Sequence, residues 1–318
     1  MSKYKIGIDL GGTNIAAGVV DENYNIIAKG SVPTNADREA EEIIKDMGKL
    51  CNDLLKEAEL SVSDITCAGI ATPGSANPET GVVGYANNLP FKNFPLADTL
   101  QKYLDVKKVL IANDANAAAK GEAVAGAAKD CNHAVMITLG TGLGGGVIID
   151  KKIYTGFNHA GAELGHIVIE YNGRQCTCGR KGCWEAYSSA TGLINMTKDR
   201  LAVTENTLMH KLVEENNGEV SGKTAFAAAR QGDKAGLEVV EEYIEYLACG
   251  IATIINIFQP EVLCIGGGVC KEGDYLTKPL LEIVNKEQYT RDNKKKTEIK
   301  IASLGNDAGI IGAAFLDE

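Results

Sequence analysis

An α/β architecture with a duplicated core is what this sequence predicts, and three observations carry it. Short apolar segments run into glycine turns and return: Lys5-Ile-Gly-Ile-Asp-Leu-Gly-Gly-Thr13 followed by Ile15 to Val20, and His133-Ala-Val-Met-Ile-Thr-Leu-Gly-Thr-Gly142 followed by Gly145 to Ile149. These two strand–turn–strand segments recur at an offset of about 130 residues, the mark of an internal repeat. Between and after them, strand-like and helix-like periodicities alternate, as layered α/β folds require.

Taken in order, the first segment reads as a hairpin. Ile43, Ile44, Met47, Leu50, Leu54, Leu55 and Ala58 then fall at helical spacing, and Asp64 to Ala71 and Lys107 to Ala112 read as buried strands. Asn113-Asp114 closes the second of these strands and opens an alanine-rich helix from Ala115. After the second hairpin, Leu237, Val240, Ile244, Leu247, Ile251, Ile254 and Phe258 give one continuous apolar helix face, and Pro260 bars continuation. Glu261 to Ile265 reads as a strand entering Gly266-Gly-Gly268, and Asp307 to Leu316 as a helix capped by Asp307. With 318 residues, 45% of them hydrophobic, the chain can bury two moderate cores. The expected division is a small α/β lobe over residues 1–118, to which the helix 304–318 returns, and a large α/β lobe over 119–303.

Composition removes several function classes. A net charge of −10 and a pI near 5.1 repel nucleic-acid backbones and anionic lipid. The longest basic run, Lys294–Lys296, reads as a solvated turn before a strand. Neither a signal-peptide pattern after Met1 nor a membrane-length apolar run is present, so a cytoplasmic location with no membrane or nucleic-acid partner is expected. Six of the nine cysteines, Cys51, Cys67, Cys131, Cys249, Cys264 and Cys270, are scattered in apolar or helical contexts that suit reduced core thiols.

The chemistry concentrates at the glycine turns. Asp9-Leu-Gly-Gly-Thr13 sets a carboxylate at a strand end beside Gly11 and Gly12, which let backbone N–H groups approach a polyphosphate, and Thr13 adds a hydroxyl. A carboxylate beside phosphates is useful with a cation between them, so Asp9 is assigned to Mg²⁺. Gly140, Thr141 and Gly142 repeat the arrangement. Neither turn carries the P-loop pattern, and neither opens a helix as a dinucleotide fingerprint does. Asp114 suits either of two tasks, capping the following helix or accepting the proton of an alcohol attacking a phosphate. Asn113 beside it offers paired donor and acceptor atoms.

His166, in Glu163-Leu-Gly-His166, and Cys176-Thr-Cys178-Gly-Arg-Lys-Gly-Cys183-Trp-Glu185 make a Cys₃His set with glycines that let the loop fold round an ion. That is the donor set of a closed structural zinc site. Metal on one ring nitrogen of His166 would fix its tautomer and leave the other for a substrate.

The hairpin context of the two glycine turns resembles the actin-like ATPase and sugar kinase fold, built from duplicated ribonuclease H-like domains. In that fold a nucleotide lies in a central cleft between two lobes, and Gly266, Gly267 and Gly268 resemble the loop that passes its adenosine. Together with Asn113-Asp114, Glu163-Leu-Gly-His166 and the cysteine motif through Glu185, in this order, the whole chain resembles the ROK family of bacterial sugar kinases, repressors and open reading frames, and within it the glucokinases. The resemblance implies that ATP, with Mg²⁺, phosphorylates the 6-hydroxyl of glucose. It implies that Asp114 is the base and that Asn88, Asn113, Glu163, His166 and Glu185 bind the sugar. It further implies zinc at His166, Cys176, Cys178 and Cys183, and a homodimer. Asn88 is chosen over Asn87 because it directly precedes Leu89.

Family kinases for N-acetylglucosamine, N-acetylmannosamine, mannose or fructose share these motifs, so another hexose is the alternative. A sugar-sensing repressor is disfavoured, because the first glycine turn begins at Asp9 and the chain is acidic. A chaperone-type ATPase would lack the Glu, His and cysteine cluster.

Overall fold

The computed structural model describes residues 4–318, so Met1–Lys3 of the opening segment lie outside the described residues. Contacts divide the chain into two compact units, one comprising Met1–Met136, Gly146–Ala162 and Ala302–Glu318, the other Ile137–Gly145 and Glu163–Ile301.

The first unit opens with β1 (Tyr4–Leu10), β2 (Asn14–Val20), β3 (Ile26–Pro33), α1 (Ala40–Glu57) and β4 (Ile65–Thr72). Three short strands follow, β5 (Ser75–Asn77), β6 (Val82–Tyr85) and β7 (Lys92–Phe94), then α2 (Leu96–Gln101), β8 (Val109–Asn113) and α3 (Asp114–Ala125). Strands β9 (Ala134–Leu139) and β10 (Leu143–Ile149) contain the points of division, and β11 (Lys152–Ile153) follows. The second unit holds α4 (Glu185–Ser188), α5 (Ala190–Val203), α6 (Leu208–Glu215), α7 (Thr224–Ala229), α8 (Lys234–Phe258), β12 (Val262–Gly266), α9 (Asp274–Glu287) and β13 (Glu298–Ile301). Helix α10 (Ala308–Ala314) belongs to the first unit.

The repeat legible in the sequence is a repeat of topology. One five-stranded sheet has the order β3-β2-β1-β4-β8 and the other β11-β10-β9-β12-β13, the same 3-2-1-4-5 sequence counted within each copy. In the first, β1–β2 and β2–β3 pair antiparallel while β1–β4 and β4–β8 are parallel. In the second, β10–β11 is antiparallel and β12–β13 parallel. This order brings the C-terminal ends of β1, β4 and β8 to one edge of the first sheet, where Asp9 and Asn113 sit.

Helix α1 lies on the first sheet through Ile43, Ile44, Met47, Leu50, Leu54 and Leu55, all buried with Ile6, Ile8, Ile15 and Ile70 in one core. Helix α10 packs so tightly on β1 that a Cβ on Gly7 would lie 1.8 Å from the Ile310 carbonyl oxygen. In the second unit α8 is the organising helix, capped by Asp233, whose carboxylate accepts the Gly236 N–H at 2.8 Å. It ends at Gln259, left-handed at φ 43°, directly before Pro260. Trp184 is fully buried; its indole donates to the Tyr246 carbonyl at 3.1 Å, and a Cβ on Gly250 would overlap the ring.

Three sequence expectations are corrected. Asp307 does not cap α10: it is helical at φ −87°, ends a 3₁₀ turn from Gly305, and pairs with Lys29 instead. Asp64 precedes rather than starts its strand, because Ser61 and Asp64 form a reciprocal capping box around a 3₁₀ turn. Of the scattered cysteines only Cys51, Cys67 and Cys264 are buried, whereas Cys131, Cys249 and Cys270 are partly exposed.

Candidate functional site

In the first unit the glycine turn after β1 is held by Thr34, which is fully buried. Its hydroxyl donates to the Gly11 carbonyl at 2.6 Å, and its N–H donates to the Thr13 carbonyl at 2.8 Å. Gly11 N–H closes the turn on Asn14 at 2.9 Å, while Gly12 and Thr13 spend neither N–H on a described residue. Two unspent amides and a hydroxyl make an anion-binding concavity. A Cβ on Gly12 would lie 3.2 Å from that of Asn88, so Asn88 flanks this turn. Thr34 was missed by sequence reading, since a threonine after a strand carries no pattern of its own.

Asp9 sits against Gly309 in the first turn of α10, where a Cβ would come within 2.8 Å of its Oδ2. Burial pushes the Asp9 carboxyl up to about 6, and the charge of Asp114 adds to the rise. Two carboxylates in mutual electrostatic reach, one of them costly to ionise, form the kind of oxygen-rich place that suits a magnesium ion.

The N-cap position before α3 is taken by the neighbour of Asp114. Asn113, extended at φ −61° and ψ 147°, caps α3: its side-chain oxygen accepts the N–H of Ala115 at 3.0 Å and of Asn116 at 3.3 Å. Its amide nitrogen donates to the Gly74 carbonyl at 3.2 Å. Asp114 is the first helical residue, with one oxygen accepting Ala115 N–H at 2.8 Å. The side chain is open to solvent by surface area, yet enough protein surrounds it that loss of bulk solvation raises the carboxyl, opposed by the Ala115 amide and by Asn113.

The second unit gathers the other residues. Gly140 N–H closes its turn on Gly142 at 3.0 Å, and the amides of Thr141 and Gly142 have no partner among the described residues. Gly266 ends β12, and Gly267 takes φ 99°, a left-handed value open to glycine; a Cβ there would lie 2.4 Å from the Leu139 carbonyl oxygen. Gly268 is exposed and starts a 3₁₀ turn before α9. The third glycine segment thus runs beside the second glycine turn.

His166 ends a 3₁₀ turn that begins after Glu163, which is exposed. Ligand atoms of His166, Cys176, Cys178 and Cys183 lie within 4.8 Å of one another. Cys176 Sγ is 3.7 Å from His166 Nδ1, and Cys178 Sγ is 3.6 Å from Cys183 Sγ. A tetrahedron with zinc–sulfur bonds of about 2.3 Å has edges of about 3.7 Å, the spacing of both of these pairs, so the donor set suits that ion. Burial pushes the Cys183 thiol up to about 12. A cation would remove that cost by favouring the thiolate. Cys178 is lowered instead, chiefly by the Arg180 amide.

Glu185, expected at a sugar, is found joined to two other parts of the unit. Its Oε2 accepts the Leu143 N–H at 2.9 Å, and its Oε1 lies 3.6 Å from Cys176 Sγ and 3.4 Å from Thr177 Oγ1.

Comparison with known proteins agrees with this picture over the full length. The chain is 39% identical to a glucokinase of Thermotoga maritima, covering 99% of this chain and 98% of that one. Among solved structures, the ROK family glucokinase of Streptomyces griseus in complex with glucose and AMPPNP superposes with a TM-score of 0.81 at 33% identity, over 98% of each chain. The ROK hexokinase of Thermus thermophilus gives 0.82 at 28% identity, over 98% of this chain and 97% of that one. The duplicated 3-2-1-4-5 sheets are therefore those of the actin-like sugar kinase fold. The sequence matches the ROK family over residues 5–318, and the chain belongs to that family.

Proposed function

We infer that this chain is an ATP-dependent kinase that transfers the γ-phosphate of ATP to the 6-hydroxyl of glucose, giving glucose 6-phosphate and ADP. The observation that carries the reading is Asp114, exposed beside the Asn113 that caps α3 and raised in pKa, on a chain whose full-length relatives are glucokinases. Phosphoryl transfer to an alcohol asks the protein for positioning, charge stabilisation and one proton acceptor. Asp114 accepts the hydroxyl proton as the sugar oxygen attacks. Asn88, Asn113, Glu163, His166 and Glu185 orient the sugar through its hydroxyls. The amides of Gly12 and Thr13 and of Thr141 and Gly142 hold phosphate oxygens, Gly11 and Gly140 close the two turns that present them, and Gly266, Gly267 and Gly268 pass the adenosine. Asp9 would hold Mg²⁺, which when bound neutralises charge on the transferring phosphates. His166, Cys176, Cys178 and Cys183 would hold structural zinc, which when bound fixes the loop and the His166 tautomer.

No helix among the described residues is long and apolar enough to cross a membrane. The enzyme works in the cytoplasm as a homodimer, with hexose and ATP as its partners and no nucleic acid. Coupled measurement of ADP release with glucose, N-acetylglucosamine, N-acetylmannosamine, mannose and fructose tests it. Glucose should give the highest kcat/KM; ADP release independent of any sugar would overturn the kinase reading, and preference for another hexose would overturn the substrate.

A further inference from the structure

The turn Gly140–Leu143 is gripped on more than one side by the segments that carry the metal ligands. Leu143 donates its N–H to Glu185 Oε2 at 2.9 Å. Just beyond, Ala190 N–H donates to the Gly140 carbonyl at 2.8 Å and Thr191 hydroxyl to the Thr141 carbonyl at 2.7 Å. From the other ligand-bearing segment, Gly165 lies so close that a Cβ there would fall 2.2 Å from the Leu143 carbonyl oxygen. A Cβ on Gly142 would fall 2.5 Å from Glu185 Oε2.

Those same segments are joined on the metal side. Cys183 bridges to Val168, and Trp184 N–H donates to the Ile167 carbonyl at 2.8 Å, next to His166. The second oxygen of Glu185 faces Cys176 at 3.6 Å. One carboxylate therefore bonds a turn amide with one oxygen and with the other accepts the S–H of Cys176, a proton that ligation would remove, so the link that holds with an ion bound is the backbone from Cys183 through Trp184 to Glu185.

We propose that Glu185 is a positioning residue that couples metal occupancy at His166, Cys176, Cys178 and Cys183 to phosphate affinity at the Gly140–Leu143 turn. This rests on the reading that the turn receives nucleotide phosphates and the cluster receives zinc. With the ion bound, His166 and Cys183 are fixed, and with them Gly165 and Glu185, so the Thr141 and Gly142 amides are ordered before phosphate arrives. Without it, binding must order the turn itself, and that lost preorganisation weakens affinity. Coupling of two binding equilibria is reciprocal, so ADP must also tighten the hold on zinc.

The test is calorimetric ADP binding, without sugar, to zinc-loaded wild type, zinc-stripped wild type, Glu185→Ala and Glu185→Gln, with folding checked by circular dichroism. Losing a hydrogen bond to a charged acceptor predicts about tenfold weaker ADP binding for Glu185→Ala, and stripping should cost about the same. The two losses should not multiply when Glu185→Ala is itself stripped, and Glu185→Gln, which keeps an acceptor for Leu143, should recover most of the affinity. Unchanged affinity on stripping, or losses that multiply, would overturn the coupling. Failure of zinc-loaded wild type to bind ADP would instead overturn the phosphate reading on which it rests. Should stripped protein unfold, zinc transfer from loaded wild type to a coloured chelator decides: ADP should raise zinc affinity about tenfold by the same linkage, and no effect would refute the proposal.

Discussion

At the end of β8 two adjacent polar residues divide two tasks that either could perform. Asn113 takes the capping, and Asp114, one position into the helix, keeps a carboxylate whose ionisation is made harder by its surroundings. Asp114→Ala should therefore lower kcat by about 10²-fold or more, with a melting temperature close to wild type because the cap remains; a coupled ADP assay and a thermal melt check both. A second residue-scale consequence concerns pH. The folded-state pKa of Asp9 is raised to about 6, so the stability that its neutral form contributes is fully present below the ordinary carboxylate range and is lost as pH rises through about 6. Asp9→Asn removes this dependence. In magnesium-free buffer, urea unfolding should show Asp9→Asn gaining on wild type between about pH 4 and pH 8, by on the order of 2 kcal/mol.

Among the elements, α3 is positioned at both ends by side chains. Its C-terminal part carries Glu122, fully buried, which accepts the Ala127 N–H at 2.7 Å, the Ser303 N–H at 3.1 Å and hydroxyl at 3.2 Å, and the Leu304 N–H at 2.8 Å. This fastens α3 to the stretch that leads into α10. Glu122→Ala strands three backbone donors and should cost about 3 kcal/mol or more, read by chemical denaturation. The metal loop is the other element whose order depends on a small number of groups. Cys178→Ser should lower zinc retention and, through His166, sugar affinity; metal analysis and sugar titration read the two, and freshly purified wild type should carry about one zinc per chain. The two glycine turns were legible from sequence because each stands between an apolar strand and its returning partner. Thr34, Glu122 and Thr191 were not legible, since each acts on backbone far away in sequence and no local pattern announces it.

For the molecule as a whole, duplication accounts for the layout: two sheets of one topology, each delivering a glycine turn from its first hairpin. The prediction at this scale is assembly. Sedimentation equilibrium of the purified chain should give twice the 33.7 kDa protomer mass, and a monomer at micromolar concentration would remove the homodimer from the proposal.

The repeat, the glycine turns, the metal donor set and the long apolar helix can all be read from residues alone, because each is written in residues near one another and follows from local sterics, periodicity or donor chemistry. Asp64 and Asp307 show where such reading stops: Asp64 reads as the start of a strand yet joins Ser61 in a capping box, and Asp307 reads as a helix cap yet pairs with Lys29. That Asn113 rather than Asp114 takes the N-cap of α3, and that Glu185 bonds the amide of Leu143, emerges with the folded chain. A carboxylate's partner is whichever donor the fold brings within about 3 Å, and that depends on the packing of segments far apart in the chain.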